Sequence, residues 1–240
     1  MSRVEWSAYK ASFRIRSQEA AENGRLTVVA LARLMQEAAH RHTLELSVSL
    51  HELQQSQKAW VLLRQHIVWN DLPSMDETLH IETYPSGIDR LYTQRDFYAT
   101  DAAGREVATA ATTWMLFDTH RRRPTRLPKA ISDIEFPSSL RVLPRPVPST
   151  DDTPTLPDTG IIYRIGYHDV DYVGHLTNTK HLEWLMEGYH ITGSPMTSGA
   201  VTVAYTAEAK LGEVVRLSSR KGVATLYNAQ DKEVSKMSWQ

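Results

Sequence analysis

The chain has 240 residues and no cysteine; 41% of its residues are hydrophobic and 23% are charged. This length and composition suit a globular protein with one large or two small domains and a buried core. Without cysteine the chain can form no disulfide, no thiolate metal site and no cysteine nucleophile. A formal net charge of -1 excludes the basic footprint that a nucleic-acid-binding chain of this kind would carry.

The N-terminal segment MSRVEWSAYK lacks the apolar core that a signal peptide needs. The longest apolar runs, such as 28–32 and 59–63, have five residues. A membrane span needs about 20 residues. We therefore expect a cytoplasmic protein with no membrane span and no nucleic-acid partner.

The first half of the chain predicts a strand, a turn, a long helix and about four further strands. Gly24 can adopt the positive φ of a turn, and Thr27 after it is a good helix N-cap. An apolar helical period then includes Leu31, Leu34 and Met35. The strand-like segments that follow have the turn signal DAAG between the last two, and they cover 60–70, 79–84, 93–100 and 106–117.

Proline marks the middle of the chain. Eight of the 11 prolines lie within 124–157, together with the polar residues of 149–152, and the stretch has no helical period. This composition is typical of an extended linker between two packed bodies. We expect such a linker over 128–158.

The segments on either side of this linker match each other without a gap. Residues 13–40 align with 163–190 at an offset of 150, and seven of the 28 positions are identical. Gly174 and Thr177 repeat the turn glycine and the N-cap threonine. A second apolar helix follows, and then four more strand-like segments at 200–205, 213–219, 223–228 and 233–239.

Each half therefore predicts a helix with few charged residues beside an antiparallel sheet. A sheet wrapped around one central helix would bury that helix on most sides. This arrangement is the hotdog unit, so the predicted fold class is α+β, a tandem (double) hotdog. The predicted domains are an N-terminal unit over 1–127, the linker over 128–158 and a C-terminal unit over 159–240. The alternative is a pair of unrelated α+β domains.

Six segments, in this order, carry a resemblance to a known family: FRIRSQEAAENGRLTVVALARLMQEAAHRH (13–42), WVLLRQHIVW (60–69), IETYPSG (81–87), RDFYATDAAGREVATAATTWMLFD (95–118), RRRPTRLP (121–128) and HLTNTKHLEWLME (175–187). They resemble the acyl-ACP thioesterases over nearly the whole chain. The resemblance implies a double hotdog that hydrolyses the thioester between a fatty acyl chain and acyl carrier protein. Plant members carry a transit peptide that this chain lacks, so it is similar to the bacterial form.

The turn before the second helix holds the candidate acid–base chemistry. Asp171 and His175 stand four residues apart, just ahead of the helix. A His oriented by a carboxylate can move protons near neutral pH, and backbone N–H groups at 176–178 could stabilise an oxyanion. From the residues alone, a turn Asp and a surface His are an equal alternative. The family motif Asp-x-Asn-x-His maps onto Asp171, Val173 and His175, so a valine stands where the family has Asn.

A third candidate, Glu208, lies downstream. The family has a Glu followed by a Cys in this region, and the resemblance places Glu208 on the Glu and Ala209 on the Cys. Since a cysteine nucleophile is excluded, water is the expected nucleophile, with Glu208 or His175 as general base. In the internal repeat Glu208 aligns with Leu72, an apolar residue. The alternative is a surface Glu on an edge strand.

The first half lacks this acid–base set, because it has Ala21, Arg25 and Leu72 at the equivalent positions. The resemblance gives this half the acyl pocket. Plain core packing is the alternative for each apolar candidate. Asn178, which matches a separate family Asn at the helix start, is added to them. The predicted substrate-binding residues are Leu31, Leu34, Met35, Trp60, Trp69 and Asn178, with Leu62 beside them on the strand.

A basic run at 120–126, extended by Lys129, Arg141 and Arg145, could bind acidic acyl carrier protein; a solvated strand end is the alternative. The His and Asp residues of 168–175 lack metal-ligand spacing, so we expect no metal and no cofactor.

The sequence thus predicts a thioester hydrolase that releases free fatty acid from fatty acyl-ACP by water attack. Two alternatives stay open. The first is an acyl-chain-binding protein with little turnover, because Val173 replaces the family Asn. The second is an acyl-CoA thioesterase. The acyl chain length and the formation of a homodimer are also left open.

Overall fold

The computed structural model describes residues 6–46, 48–148, 158–192 and 198–240, without the side chains of residues 130 and 158. The chain divides into two compact units. The first comprises the residues up to Leu63 together with Trp69–Arg145, and the second comprises Arg64–Val68 and Pro146–Gln240.

The first unit is an antiparallel sheet with a long helix. Its strands lie in the order β1-β3-β4-β5-β2, and β6 pairs with β5. Its elements in chain order are β1 (Tyr9–Arg14), α1 (Val28–Glu45), α2 (Leu50–Gln55), β2 (Lys58–Asn70), β3 (Thr78–Asp89), β4 (Tyr92–Thr100), β5 (Glu106–Asp118), β6 (Arg123–Pro124) and α3 (Lys129–Ser132).

Helix α1 begins where the sequence predicts it. The Thr27 side chain accepts a hydrogen bond from the backbone N–H of Ala30 at 3.1 Å, which satisfies one of the free donors of the first turn. The apolar face of α1 packs against β1 and β3. Leu31, Met35 and Ala38 on that face are almost fully buried, so packing holds the helix in place.

Two short helices were not predicted. Helix α2 begins with a capping box, in which Glu52 Oε2 accepts the N–H of Ser49 at 2.9 Å and Ser49 Oγ accepts the N–H of Glu52 at 3.4 Å. Helix α3 lies inside the segment predicted as an extended linker. Ile131 and Ile134 are buried there against Leu46 and Val48 of the same unit.

The second unit repeats the arrangement. Its strand order is β8-β11-β10-β9-β7, with antiparallel pairing. Helix α4 packs against β9, β10 and β11. The elements are β7 (Asp158–Arg164), α4 (Asn178–Thr192), β8 (Ser198–Tyr205), β9 (Val214–Arg220), β10 (Val223–Asn228) and β11 (Glu233–Trp239), so the predicted strands are confirmed to within two residues.

Equivalent backbone hydrogen bonds confirm the internal repeat. The N–H of Ile15 donates to the carbonyl of Glu77, and the N–H of Ile165 donates to the carbonyl of Glu213, both at 2.9 Å. The offset between equivalent residues is thus 150 at Ile15 and Ile165 and 136 at Glu77 and Glu213. Each unit is an antiparallel sheet with a central helix, and the chain is a tandem hotdog of the α+β class. Within the described residues, no helix is long and apolar enough to cross a membrane.

The compact units differ from the predicted domain ranges. The first unit extends to Arg145, because residues of the predicted linker pack on it, and 64–68 groups with the second unit. Residues 149–157 of the predicted linker lie outside the described part of the chain.

Candidate active site

The turn that precedes α4 is closed by its own backbone. The N–H of Asp171 donates to the carbonyl of His175 at 2.8 Å, and the N–H of Gly174 donates to the carbonyl of Asp171 at 2.9 Å. Gly174 adopts a φ of 88°, which a residue with a Cβ rarely takes. The predicted turn glycine is therefore required, and the tight turn presents His175 next to the helix start.

Asp171 fixes this turn through backbone N–H groups. Its Oδ1 accepts the N–H of Val173 at 2.9 Å and the N–H of His175 at 3.2 Å. These contacts belong to the backbone of His175 and not to its imidazole ring. Asp171 therefore positions His175 indirectly, whereas the sequence suggested a carboxylate that orients the ring itself.

His175 and Glu208 come together in the second unit. Their side chains approach to 3.4 Å between Nε2 and Oε2, and they are 19% and 32% exposed. Glu208 lies in the loop after β8 and not on an edge strand. The loop is held to the turn because the N–H of Leu176 donates to the carbonyl of Ala209 at 2.7 Å. The arrangement gives a partly exposed imidazole–carboxylate pair that water can reach.

The predicted oxyanion donors need correction. The N–H of Leu176 is bonded to Ala209, and the N–H of Thr177 donates to the carbonyl of Asp169 at 2.9 Å. Because these bonds hold the turn to its neighbours, neither N–H is available to bind an oxyanion. Asn178, the first residue of α4, keeps its N–H without a protein acceptor in the described part of the chain. The N–H of Lys180 donates to Thr177, so the helix start offers the N–H groups of Asn178 and Thr179.

The predicted substrate-binding residues fall into different surroundings. Trp60 is half-buried and packs in the cluster of Leu46, Val48, Ile131 and Ile134, with its Nε1 donating to the carbonyl of Val48 at 3.4 Å. Asn178 begins α4, and its carbonyl accepts a bond from the Tyr205 hydroxyl at 3.3 Å. The other four are buried in the first unit: Leu31, Leu34, Met35 and Trp69. Their role in substrate binding stays a prediction.

The equivalent turn of the first unit holds an ion pair in place of an acid–base pair. Arg25, at the position of His175, pairs with Asp71 at 2.6 Å and donates to the carbonyl of Leu72 at 2.8 Å. Leu72, at the position of Glu208, is 4% exposed. The predicted absence of an acid–base set at these three positions of the first unit follows directly from the residues.

The two turns also differ at the family Asn. Asn23 of the first unit occupies the position of Val173, and its Oδ1 accepts the N–H of Arg25 at 3.0 Å. An amide oxygen here performs the backbone bond that Asp171 performs in the second unit. The second turn has only the half-buried Val173 side chain, which carries no hydrogen-bonding group.

Sequence reasoning missed a buried polar cluster beside the turn. His181 of α4 lies with its Nδ1 at 2.9 Å from Ser235 Oγ of β11, and its ring meets the Tyr205 ring edge-on at 5.5 Å. Burial lowers the pKa of His181 to about 3, so the ring is neutral. The alignment of the two units places His181 at the position of Leu31, but it does not show that Ser235 on a distant strand is the hydrogen-bond partner of His181.

The basic run is partly as predicted. The side chains of His120 to Arg123, together with Arg126 and Lys129, are exposed. Arg141 pairs with Glu106 at 2.8 Å, and Arg145 pairs with the buried Asp96. Arg145 is therefore engaged inside the first unit, whereas Arg141 lies on the surface; an extension of the basic run through these two arginines stays a prediction. Among the described residues, no cluster of three or more His, Asp or Glu side chains could hold a metal ion.

Family comparison identifies the protein class. The model described as the acyl-ACP thioesterase N-terminal domain matches residues 7–134, and the model of the C-terminal domain matches residues 158–238. Together these matches cover most of the chain. The chain belongs to the acyl-ACP thioesterase family.

Individual relatives agree with this class. Oleoyl-acyl carrier protein thioesterase 2, chloroplastic, of Arabidopsis thaliana is 26% identical over 198 residues, which are 75% of this chain and 53% of that protein. The chain thus spans about half the length of the curated relatives it matches. The acyl-ACP thioesterase of Bacteroides thetaiotaomicron VPI-5482 superposes with a TM-score of 0.76 at 19% identity, over 97% of this chain and 98% of that one. The 12:0-ACP thioesterase of Umbellularia californica gives a TM-score of 0.78 at 19% identity, over 97% of both chains. These structures share the fold of this chain.

Proposed function

We propose that this chain hydrolyses the thioester of fatty acyl-ACP to free fatty acid and acyl carrier protein, with water as the nucleophile. The observation that carries the proposal is the pair of His175 and Glu208, 3.4 Å apart beside a helix start. Membership of the acyl-ACP thioesterase family supports the substrate class. The first unit has an Arg25–Asp71 ion pair at the equivalent place, so the second unit carries the chemistry.

The reaction follows from these groups. Water attacks the thioester carbonyl carbon while the His175–Glu208 pair takes its proton. The negative charge that develops on the carbonyl oxygen meets the N–H groups of Asn178 and Thr179 at the start of α4. The tetrahedral intermediate then collapses, the carbon–sulfur bond breaks, and the proton passes from the pair to the departing sulfur. No cysteine takes part, because the chain has none.

The acyl chain and its carrier would occupy the first unit. The apolar residues of α1 and β2 would line the site of the acyl chain, which needs apolar surroundings. The exposed basic run at the β5–β6 hairpin suits the acidic surface of acyl carrier protein. If it binds the carrier, reversing the charge of Arg121 and Arg123 raises the KM for acyl-ACP and weakens its salt dependence, whereas the same change at Lys221 and Lys232 does not.

The test is a panel of purified acyl-ACPs of different chain length, assayed for release of free fatty acid. His175→Ala and Glu208→Ala should each lower kcat by orders of magnitude. His168→Ala is the matched control, because His168 is an exposed histidine in the short 3-10 helix just before the turn. Wild-type rates in both pair variants would contradict the proposal.

The same assay separates the alternatives. Faster hydrolysis of acyl-CoA than of acyl-ACP at equal concentration would favour an acyl-CoA thioesterase. Acyl binding without turnover on any carrier would favour an acyl-binding protein. A cytoplasmic location and a homodimer stay predictions, to be tested by cell fractionation and by light scattering.

A further inference from the structure

His181 is a buried residue of α4 next to the proposed active site. It is 4% exposed, and its Nδ1 lies 2.9 Å from Ser235 Oγ. Burial lowers the pKa of the ring, and a backbone hydrogen bond at Leu176 acts in the opposite direction by raising it. A carbonyl only accepts, so the N–H of the neutral ring points at Leu176 and Nδ1 accepts the Ser235 hydroxyl proton. Both ring nitrogens are therefore committed to the protein.

The residue that His181 holds connects the two halves of the acid–base pair. Leu176 directly follows His175, and its N–H donates to the carbonyl of Ala209, which directly follows Glu208. A shift of Leu176 would therefore move both His175 and Glu208. The ring of His181 interacts with the other backbone group of Leu176, its carbonyl.

The first unit shows that the fold does not need this polar cluster. There the N–H of Leu26 donates to the carbonyl of Pro73 at 2.9 Å, the equivalent of the Leu176–Ala209 bond. The matching β-bulges on β4–β5 and β10–β11 align Ala108 with Ser235. The residues at the positions of His181, Ser235 and Tyr205 are all apolar: Leu31, Ala108 and Trp69.

A buried imidazole in place of a leucine is unfavourable unless it is fully hydrogen-bonded. The polar cluster occurs in the unit that has the acid–base pair, while the same backbone contact forms in the other unit without it. We propose that His181, held by Ser235, is a positioning residue that keeps His175 and Glu208 at their working separation through Leu176. This inference rests on the proposed function and names a further residue of the same site.

The test compares His181→Leu, His181→Gln and Ser235→Ala in the full chain. His181→Leu introduces the leucine that the first unit has at this position, so the protein should fold. We expect kcat to fall at least tenfold while KM stays within about twofold. His181→Gln keeps an N–H that can reach Leu176, so it should retain most of kcat. Ser235→Ala should lower kcat less than His181→Leu does. Ser219→Ala is the control, because it removes a buried hydroxyl bond to Gly188 elsewhere on α4.

A second readout does not depend on turnover. The NMR signals of the His175 ring should shift in His181→Leu and stay in place in Ser219→Ala. If the wild-type chain hydrolyses no thioester but these signals shift, the positioning holds and the proposed function fails. Wild-type kcat and unmoved His175 signals in His181→Leu would overturn the inference. If His181→Leu does not fold, the same comparison of His181→Gln and Ser235→Ala with Ser219→Ala decides.

Discussion

Asp171 holds His175 by its backbone, with Oδ1 of the carboxylate 3.2 Å from the N–H of His175. The same oxygen accepts the N–H of Val173 at 2.9 Å, so one atom closes the turn. Since the contact uses a single acceptor oxygen, an amide can replace the carboxylate. Asn23 in the first unit already does so for Arg25.

Asp171→Asn should therefore keep kcat within a few-fold of the wild-type value, whereas Asp171→Ala should lower it at least tenfold by loosening the turn. The measurement is steady-state hydrolysis of an acyl-ACP. A loss in Asp171→Asn as large as that in His175→Ala would mean that the charge of Asp171 is needed and that the backbone contact does not explain its role.

Val173 gives a second prediction. Its side chain has no donor, and the family motif has Asn at this position. In Val173→Asn the new amide could donate a hydrogen bond to the thioester carbonyl oxygen, which becomes negatively charged during the reaction. A hydrogen bond to a charged group contributes about 1.5–3 kcal/mol of stabilisation. We expect kcat to rise roughly tenfold or more. Val173→Leu is the control for side-chain size; an equal rate in the Asn and Leu variants would show that the helix start alone serves the oxyanion.

The pairing of Arg145 with Asp96 predicts a large effect on stability. Asp96 is fully buried and also accepts the N–H of Leu143 at 2.8 Å and the Ser86 hydroxyl at 2.9 Å. Burial raises the pKa of Asp96. Removing Arg145 leaves this carboxylate buried without its cation, so Arg145→Met should lower the free energy of unfolding by about 3–5 kcal/mol.

The matched control is Arg141→Met. Arg141 pairs with Glu106 on the surface, at 2.8 Å, and loss of such an exposed pair should change stability by less than about 1 kcal/mol. Urea denaturation of both variants measures the difference. Equal effects would mean that the 141–145 segment is not anchored by the buried pair.

Buried neutral histidine makes stability depend on pH. Folding lowers the pKa of His181 from 6.5 to about 3, so at pH 5 the unfolded chain binds a proton that the folded chain does not. The free energy of unfolding therefore falls as pH drops below about 6.5, by about 2 kcal/mol for this group at pH 5. The loss between pH 7.5 and pH 5 should be smaller by that amount in His181→Leu. Identical pH dependence in both proteins would show that His181 titrates normally when folded.

Local residue patterns predicted most of the fold. Gly24 and Thr27 set the turn and the helix start by short-range backbone chemistry, and the apolar period of α1 depends on neighbours a few residues away. Helix α3 was missed because its Ile131, like Ile134 just after the helix, packs on residues distant in sequence, which a proline-rich stretch does not reveal. Helix α2 did have a local signal, the Ser49–Glu52 capping box.

The candidate site shows the same limit. The sequence and the family resemblance named His175 and Glu208 as catalytic candidates, and the structure brings their side chains to 3.4 Å from each other. The bond from Asp171 to the backbone and the use of the Leu176 N–H depend on the three-dimensional turn. The contact of His181 with Ser235 joins residues 54 positions apart, and no local pattern encodes such a pair.

The two turns are closed by equivalent backbone hydrogen bonds, so the second unit shows which residues the first would need to become a second active site. Arg25→His with Leu72→Glu would place an imidazole and a carboxylate on the same backbone frame in the first unit. If that frame alone sufficed, the altered unit would gain hydrolytic activity. The absence there of an equivalent to the His181–Ser235 support means that Leu31→His and Ala108→Ser must accompany the pair. A protein with two working centres would then need four changes, and not two.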